Sequence, residues 1–336
     1  MCDLLSLSKL FKTVSYFCIS IFSMVWVIFI AIIFGLLALD LGVFHKADKK
    51  VSIKESIAWT IVWVALALSF GGVIYWLYDN QVLGINPLKI DASKAMFEYF
   101  TGYIIEESLS MDNIFVIAMI FSFFKIEGKF QHKILFWGII GAIFFRLIMI
   151  YLGATFVEKF EWATYVFGGI LIFSAFKMLK SEDEETNFKE NIGVKLLSKI
   201  YPIDWEEKSG KYFVKRNGKK IATGLFATLV VVEFSDILFA VDSIPAIFSV
   251  TKDPFIVFTS NIFAILGLRN LFFFLSGMMD KFQYIKYSLV GILLFVGLKM
   301  VLIDVKWIVI TPTTSLLVIL SFLTLGVVYS IIKNKK

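Results

Sequence analysis

Apolar residues run through this chain in long unbroken stretches, near 17–39, 57–78, 99–124, 134–157, 162–179, 221–250, 255–275, 284–303 and 308–332. Each stretch is close to the roughly 20 residues that carry an α-helix across a bilayer. A membrane β-barrel would instead show ~10-residue segments of alternating character. The pattern predicts an all-α polytopic membrane protein with about nine transmembrane helices. The first stretch follows Lys9 and Lys12 with no small-residue cleavage pattern, so it is expected to be a retained helix rather than a removed signal. One long polar stretch, 180–220, divides the fifth span from the sixth. It opens with Glu182, Asp183, Glu184 and Glu185 and closes with Lys211, Lys215, Arg216, Lys219 and Lys220. It is expected to be a solvated linker, with a metal-sensing or partner-docking loop as the alternative.

Composition bears on the class. The chain is 59% hydrophobic and 18% charged, against about 45–50% and 25% for a soluble domain. That excludes a soluble enzyme, a disordered chain and a disulfide-rich secreted domain. Two cysteines and two histidines cannot build a thiolate or poly-histidine metal centre, so any ion site must use oxygen ligands. The net charge of +6 reads as surplus lysine in cytoplasmic loops rather than as a nucleic-acid footprint, leaving the lipid bilayer as the partner. Most Lys and Arg fall on the side of the long loop, which predicts a multi-pass cell-membrane protein with its N-terminus outside and its C-terminus cytoplasmic. His45 and His132 are expected at the surface.

The spans contain an internal repeat. FEWATYVFGGILIFSAFKML from 160 and FQYIKYSLVGILLFVGLKMV from 282 share Phe, Tyr, Gly, Lys and Met at a constant offset of 122. Arg146 and Arg269 keep nearly the same spacing, and Glu106/Asp112 correspond to Asp236/Asp242 at an offset of 130. Each unit holds three spans, so the second enters the membrane from the opposite side, the architecture of many secondary transporters. The expected organisation is an N-terminal two-helix segment (1–98), a first three-helix repeat (99–180), a cytoplasmic loop (181–220), a second repeat (221–303) and a final helix (304–336).

Costly charges lie inside the repeats. Glu106, Glu107 and Asp112 are deep in the third span, and Glu233, Asp236 and Asp242 in the sixth. Each costs at least about 2.5–3.5 kcal/mol in hydrocarbon unless paired, protonated or hydrated. Arg146, Arg269, Lys177 and Lys299 are the available balancing charges, and the remaining negative charge suits one divalent cation or two protons. On a regular helix Glu106 and Asp112 stand about 120° apart, as do Asp236 and Asp242, and cannot converge from one helix. Pro245 removes the hydrogen bond to the Val241 carbonyl beside Asp242, and an opened backbone there would supply a further oxygen ligand. Asn113, Ser243 and Asn261 could complete a shell that Ca²⁺, Mg²⁺ or Mn²⁺ would accept. Asp40 is either an interfacial carboxylate or a gate ligand. No G-x4-GK[ST] motif occurs, so ATP drive within the chain is not expected.

At these residues the sequence resembles the TerC family of integral membrane proteins. The matching stretches are LALDLGVFHK ending at 46, FTGYIIEESLSMDNIFVI (100–117), FQHKILFWGIIGAIFFR (130–146) and EFSDILFAVDSIPAIFSVTKDPFIVFTSNIFAILGLRNLFFFL (233–275), within a similarity running from about 25 to 305. The resemblance implies a fold related to the lysine-exporter superfamily, N-terminus outside, whose acidic residues serve Mn²⁺ efflux. It also implies links to tellurium resistance, the alkaline-pH response and metal loading of exported enzymes. Its motif falls on Glu107, Asp112, Glu233, Asp236 and Asp242, with Glu106 and Glu107 both open for the first position. Mn²⁺ would be the transported substrate, without enzymatic chemistry or an organic cofactor, and proton exchange the driver. The alternatives are a membrane scaffold that assembles or metalates partners docked at 181–220, and, last, carriage of a tellurium oxyanion, which buried carboxylates would repel.

Overall fold

The computed structural model describes residues 24–44, 53–86, 88–160, 162–180, 188–207, 209–216, 218–276, 285–302 and 310–333. Long helices occupy the apolar stretches: α1 (Met24–Phe44), α2 (Ile53–Asp79), α3 (Ala92–Phe123), α4 (Gly128–Lys159) and α5 (Ala163–Lys180). After the polar segment come α7 (Gly224–Phe248), α8 (Pro254–Ser276), α9 (Ile285–Val301) and α10 (Pro312–Lys333). Five of these, α2, α4, α7, α8 and α10, are each long and apolar enough to cross a membrane, and α1 and α5 contribute shorter apolar stretches. Backbone groups in lipid must be satisfied within the segment, which is why unbroken helix is the form these sequences take. The third helix begins at Ala92, ahead of the expected 99, because the Asp91 carboxylate accepts from the Lys94 amide (3.0 Å) and caps it.

The packing places α8 at the centre. It is buried along its length, whereas Ile61, Phe144, Phe173 and Leu325 on surrounding helices stay exposed as lipid-facing surface. α3 packs along α8, α4 along α7, and α5 along α9, while α2 covers α3 and α8. The α5–α9 crossing is close. A Cβ at Gly168 would meet the Gly297 carbonyl at 2.9 Å, and one at Gly297 would meet the Gly168 carbonyl at 3.0 Å. Phe29, Phe70, Tyr99, Phe258 and Phe263 interlock α1, α2, α3 and α8.

The polar segment corrects one expectation: it is not a bare linker, but adds a small three-stranded sheet to an otherwise helical membrane protein. Residues 188–223 hold a short helix, α6 (Ile192–Ile200), and strands β1 (Ile203–Asp204), β2 (Phe213–Arg216) and β3 (Lys219–Thr223) in the order β1-β3-β2. Gly218, at φ +77°, turns the β2–β3 hairpin. The unit is anchored to the bundle: Lys133 Nζ donates to the Gly210 carbonyl (2.8 Å), Tyr212 Oη donates to the Lys133 carbonyl (3.1 Å), and Trp205 stacks on Phe124 at 5.4 Å. The acidic run 182–185 lies outside the described residues.

Candidate functional site

Four helices meet at one buried guanidinium. Arg146, from α4, and Glu106, from α3, are both fully buried. Arg146 Nη1 donates to Glu106 Oε1 and, at 3.0 Å, to Asn261 Oδ1 on α8. Nη2 and Nε grip Asp236 on α7 in bidentate fashion, at 3.0 and 3.3 Å. Asn261 Nδ2 closes the ring by donating to Glu106 Oε2 at 2.9 Å, and Ser243 Oγ lies 3.5 Å from Nη1. One positive charge thus faces two carboxylates, one contributed by each side of the 188–223 segment. Asp236 stands midway along α7, a helix long and apolar enough to cross a membrane. Of the two adjacent glutamates, Glu106 enters the junction. Glu107, about 100° round the helix, is half-buried on another face.

The remaining α7 acids point elsewhere. Glu233, one turn from Asp236, lies against Gly141 of α4, where an added Cβ would fall on its carboxylate. Its Oε2 is buried with no hydrogen-bond partner among the described residues. Asp242 faces α5 and accepts from Ser174 Oγ at 2.6 Å, with exposed Lys177 one turn along α5. The helix does not open at Pro245: α7 runs unbroken to Phe248, so Asp236 and Asp242 keep the divergence of a regular helix. Among the described residues, no group of three or more His, Cys, Asp or Glu side chains is close enough to hold a metal.

The other expected participants are dispersed. Asn113 and Arg269 are buried, at 4% and 2% exposure, on α3 and α8. Lys299 Nζ donates to Ser315 Oγ (3.0 Å) on α10, away from the junction. His132 is half-buried rather than superficial, its ring 4.0 Å from that of Phe273. Asp40 and Asp112 sit on α1 and α3, but their side chains, like the whole of His45, lie outside the described residues.

A second buried acidic group escaped the sequence reading. At the α7–α8 turn, Asp253 caps α8 by accepting from the Phe255 and Ile256 amides (2.9 and 3.3 Å). Burial pushes its carboxyl up to about 6. Glu98 and Tyr78 are buried nearby, and Glu98 lies 3.8 Å from Lys94. The Asp-Pro pair at 253–254 was the available signal, a helix N-cap before a first-turn proline.

Residues 91–336 match the integral membrane protein TerC family. The chain belongs to the TerC family. It is 46% identical over 310 residues to an uncharacterized membrane protein of Myxococcus xanthus, covering 92% of each chain. An uncharacterized membrane protein of Rickettsia felis is 43% identical, covering 93% of this chain and 98% of the relative. The TerC chain is also 39% identical to the "putative membrane-bound redox modulator Alx" of Escherichia coli, over 84% of its length and 86% of the relative's. No solved structure is significantly similar to it.

Proposed function

We propose that this TerC protein is a secondary carrier that exports divalent cations, Mn²⁺ foremost, in exchange for protons. Its nine spans would place the N-terminus outside and the C-terminus in the cytoplasm, with α3–α5 and α7–α9 as two inverted repeats. The helix pairing supports that symmetry. Exchanging the units maps α3–α8 onto α7–α4 and leaves α5–α9 unchanged, and all these contacts are present.

The observation that carries the reading is that Glu106 and Asp236, one from each unit, converge on the buried Arg146 midway along α7. A cation entering there would replace the guanidinium between the two carboxylates, and Asn261 and Ser243 would offer neutral oxygens. Arg146 returning to the carboxylates would then let the unloaded carrier reorient without bare charge in lipid. In this reading Glu107, Glu233 and Asp242, which lie on separate faces outside the junction, would accept protons or the ion in transit. The reading assigns the chain no covalent chemistry and no organic cofactor.

The test is Mn²⁺ flux into proteoliposomes under an imposed pH gradient. Glu106→Gln and Asp236→Asn should abolish gradient-driven flux, while Lys215→Gln, outside the membrane, should leave it intact. Unchanged flux in both acid variants defeats the proposal. One observation favours a second reading, a scaffold that assembles or metalates partners: the Arg146 junction satisfies its own hydrogen bonds, as structural ion pairs do. That reading requires no Mn²⁺ flux at all from purified protein, and loss of function when the 188–223 unit is removed.

A further inference from the structure

The α6 helix carries more apolar surface than the other described residues cover. Gly193, Val194 and Leu197 are buried, and a Cβ at Gly193 would meet Val230 Cγ1 at 2.9 Å and Phe234 Cβ at 3.5 Å. The next stripe round the helix, Ile192, Leu196 and Ile200, is 59%, 53% and 72% exposed. At 100° per residue these three span about 80° and adjoin the buried face, with Lys195 and Lys199 on the flank beyond. In water, such a stripe on a nine-residue helix would be an unexplained hydrophobic patch.

Its position supplies the missing solvent. Val230 and Phe234 lie roughly 9–15 Å along α7 from Gly224 at 1.5 Å per residue, so α6 lies beside the second and third turns, in the N-terminal half, of a helix apolar enough to cross a membrane. Trp205 is 37% exposed at the same end, with Lys189 Nζ 5.2 Å from its ring centre, the pairing of an aromatic with a cation expected at headgroup level. Lipid-facing Leu238, 55% exposed, continues the apolar surface down α7.

We propose that α6 is an in-plane membrane helix. Ile192, Leu196 and Ile200 insert among the acyl chains of the leaflet at the α7 N-terminus, and Lys195 and Lys199 extend to bind anionic headgroups. The 188–223 unit is thereby held on the bilayer by its own apolar face as well as by its contacts with α4 and α7.

The test uses full-length protein with Cys2 and Cys18 replaced by serine, and single cysteines at Leu196, Ile200, Leu325 or Lys215 carrying an environment-sensitive fluorophore. It is reconstituted into phosphatidylcholine vesicles with or without phosphatidylglycerol. Labels at Leu196 and Ile200 should be quenched by brominated acyl chains, like the α10 control at Leu325, and shielded from aqueous iodide, unlike the β2 control at Lys215. Phosphatidylglycerol should deepen that protection, and Lys195→Gln/Lys199→Gln should remove the lipid dependence. Iodide access equal to that at Lys215 overturns the proposal. So does protection from both quenchers, which means a second copy or another protein covers the face, and so does indifference to phosphatidylglycerol.

Discussion

Asp236 and Asp242 stand on the same helix, less than two turns apart, and the fold treats them differently. Asp236 is gripped by both edges of a fully buried guanidinium that also holds Glu106. Asp242 has a serine hydroxyl, with Lys177 a turn further along α5 and exposed. Glu233 resembles Asp242 in this respect, with one oxygen buried and unpartnered among the described residues. A carboxylate locked in a four-helix network is part of what holds the bundle together, and releasing it requires something of equal charge to take the arginine's place. A carboxylate answered by a hydroxyl keeps its charge available to whatever arrives. In the carrier reading proposed above, the first class would couple ion occupancy to the arrangement of helices, and the second would only bind.

The heaviest blow to this contrast is Arg146→Ala. It strands Glu106 and Asp236 in the interior, where losing one partner of a buried ion pair costs about 3–5 kcal/mol. The variant should fail to give monodisperse protein in detergent, or unfold well below wild type in a thermal-stability assay. Arg146→Lys should recover part of the loss, because an ammonium replaces the charge but cannot serve Asp236 in bidentate fashion while reaching Glu106 and Asn261. If Arg146→Ala is as stable as wild type, the junction is not what joins the four helices.

A smaller effect is expected where α4 meets Glu233. Gly141→Ala drives a methyl group onto the Glu233 carboxylate, and overpacking of this kind costs about 1–3 kcal/mol. The diagnostic is suppression. Glu233→Ala alone removes an acid with a partnerless buried oxygen, and combined with Gly141→Ala it removes the collision. The double variant should therefore melt above Gly141→Ala. Simple additivity of the two changes would show that Glu233 does not occupy that position.

The same contrast explains what the sequence made legible. Long apolar runs located the helices, because hydrocarbon leaves the chain little alternative to helix, and the price of charge in lipid singled out Glu106, Arg146 and Asp236. The choice between Glu106 and Glu107 was not legible, since adjacent residues differ only by a rotation that the facing helix decides. Pro245 misled, for a proline near a helix end removes one hydrogen bond without breaking the helix. The 188–223 fold was hidden by its lysines, although Phe213 to Arg216, an Asn-Gly pair and Lys219 to Ala222 carry a hairpin signature. Asp253 and Glu98 passed unnoticed because acids near helix ends look like ordinary caps until their burial is seen.

The smallest structural effect is expected at Asp242, and it separates the two classes of acid most cleanly. In Asp242→Asn the amide oxygen can still accept from Ser174 Oγ, and no buried arginine loses its partner, so the change in stability should stay within about 1 kcal/mol. Thermal unfolding should therefore be close to wild type, in contrast to Arg146→Ala. If Asp242 receives the cation or the proton in transit, the same variant should lose gradient-driven Mn²⁺ flux despite its intact fold. A variant with both stability and flux unchanged would make Asp242 a bystander on α7 and confine the working charge to the Arg146 junction. A variant that unfolds like Arg146→Ala would instead show that the serine-held acid is as structural as the arginine-held one, and the distinction between them would disappear.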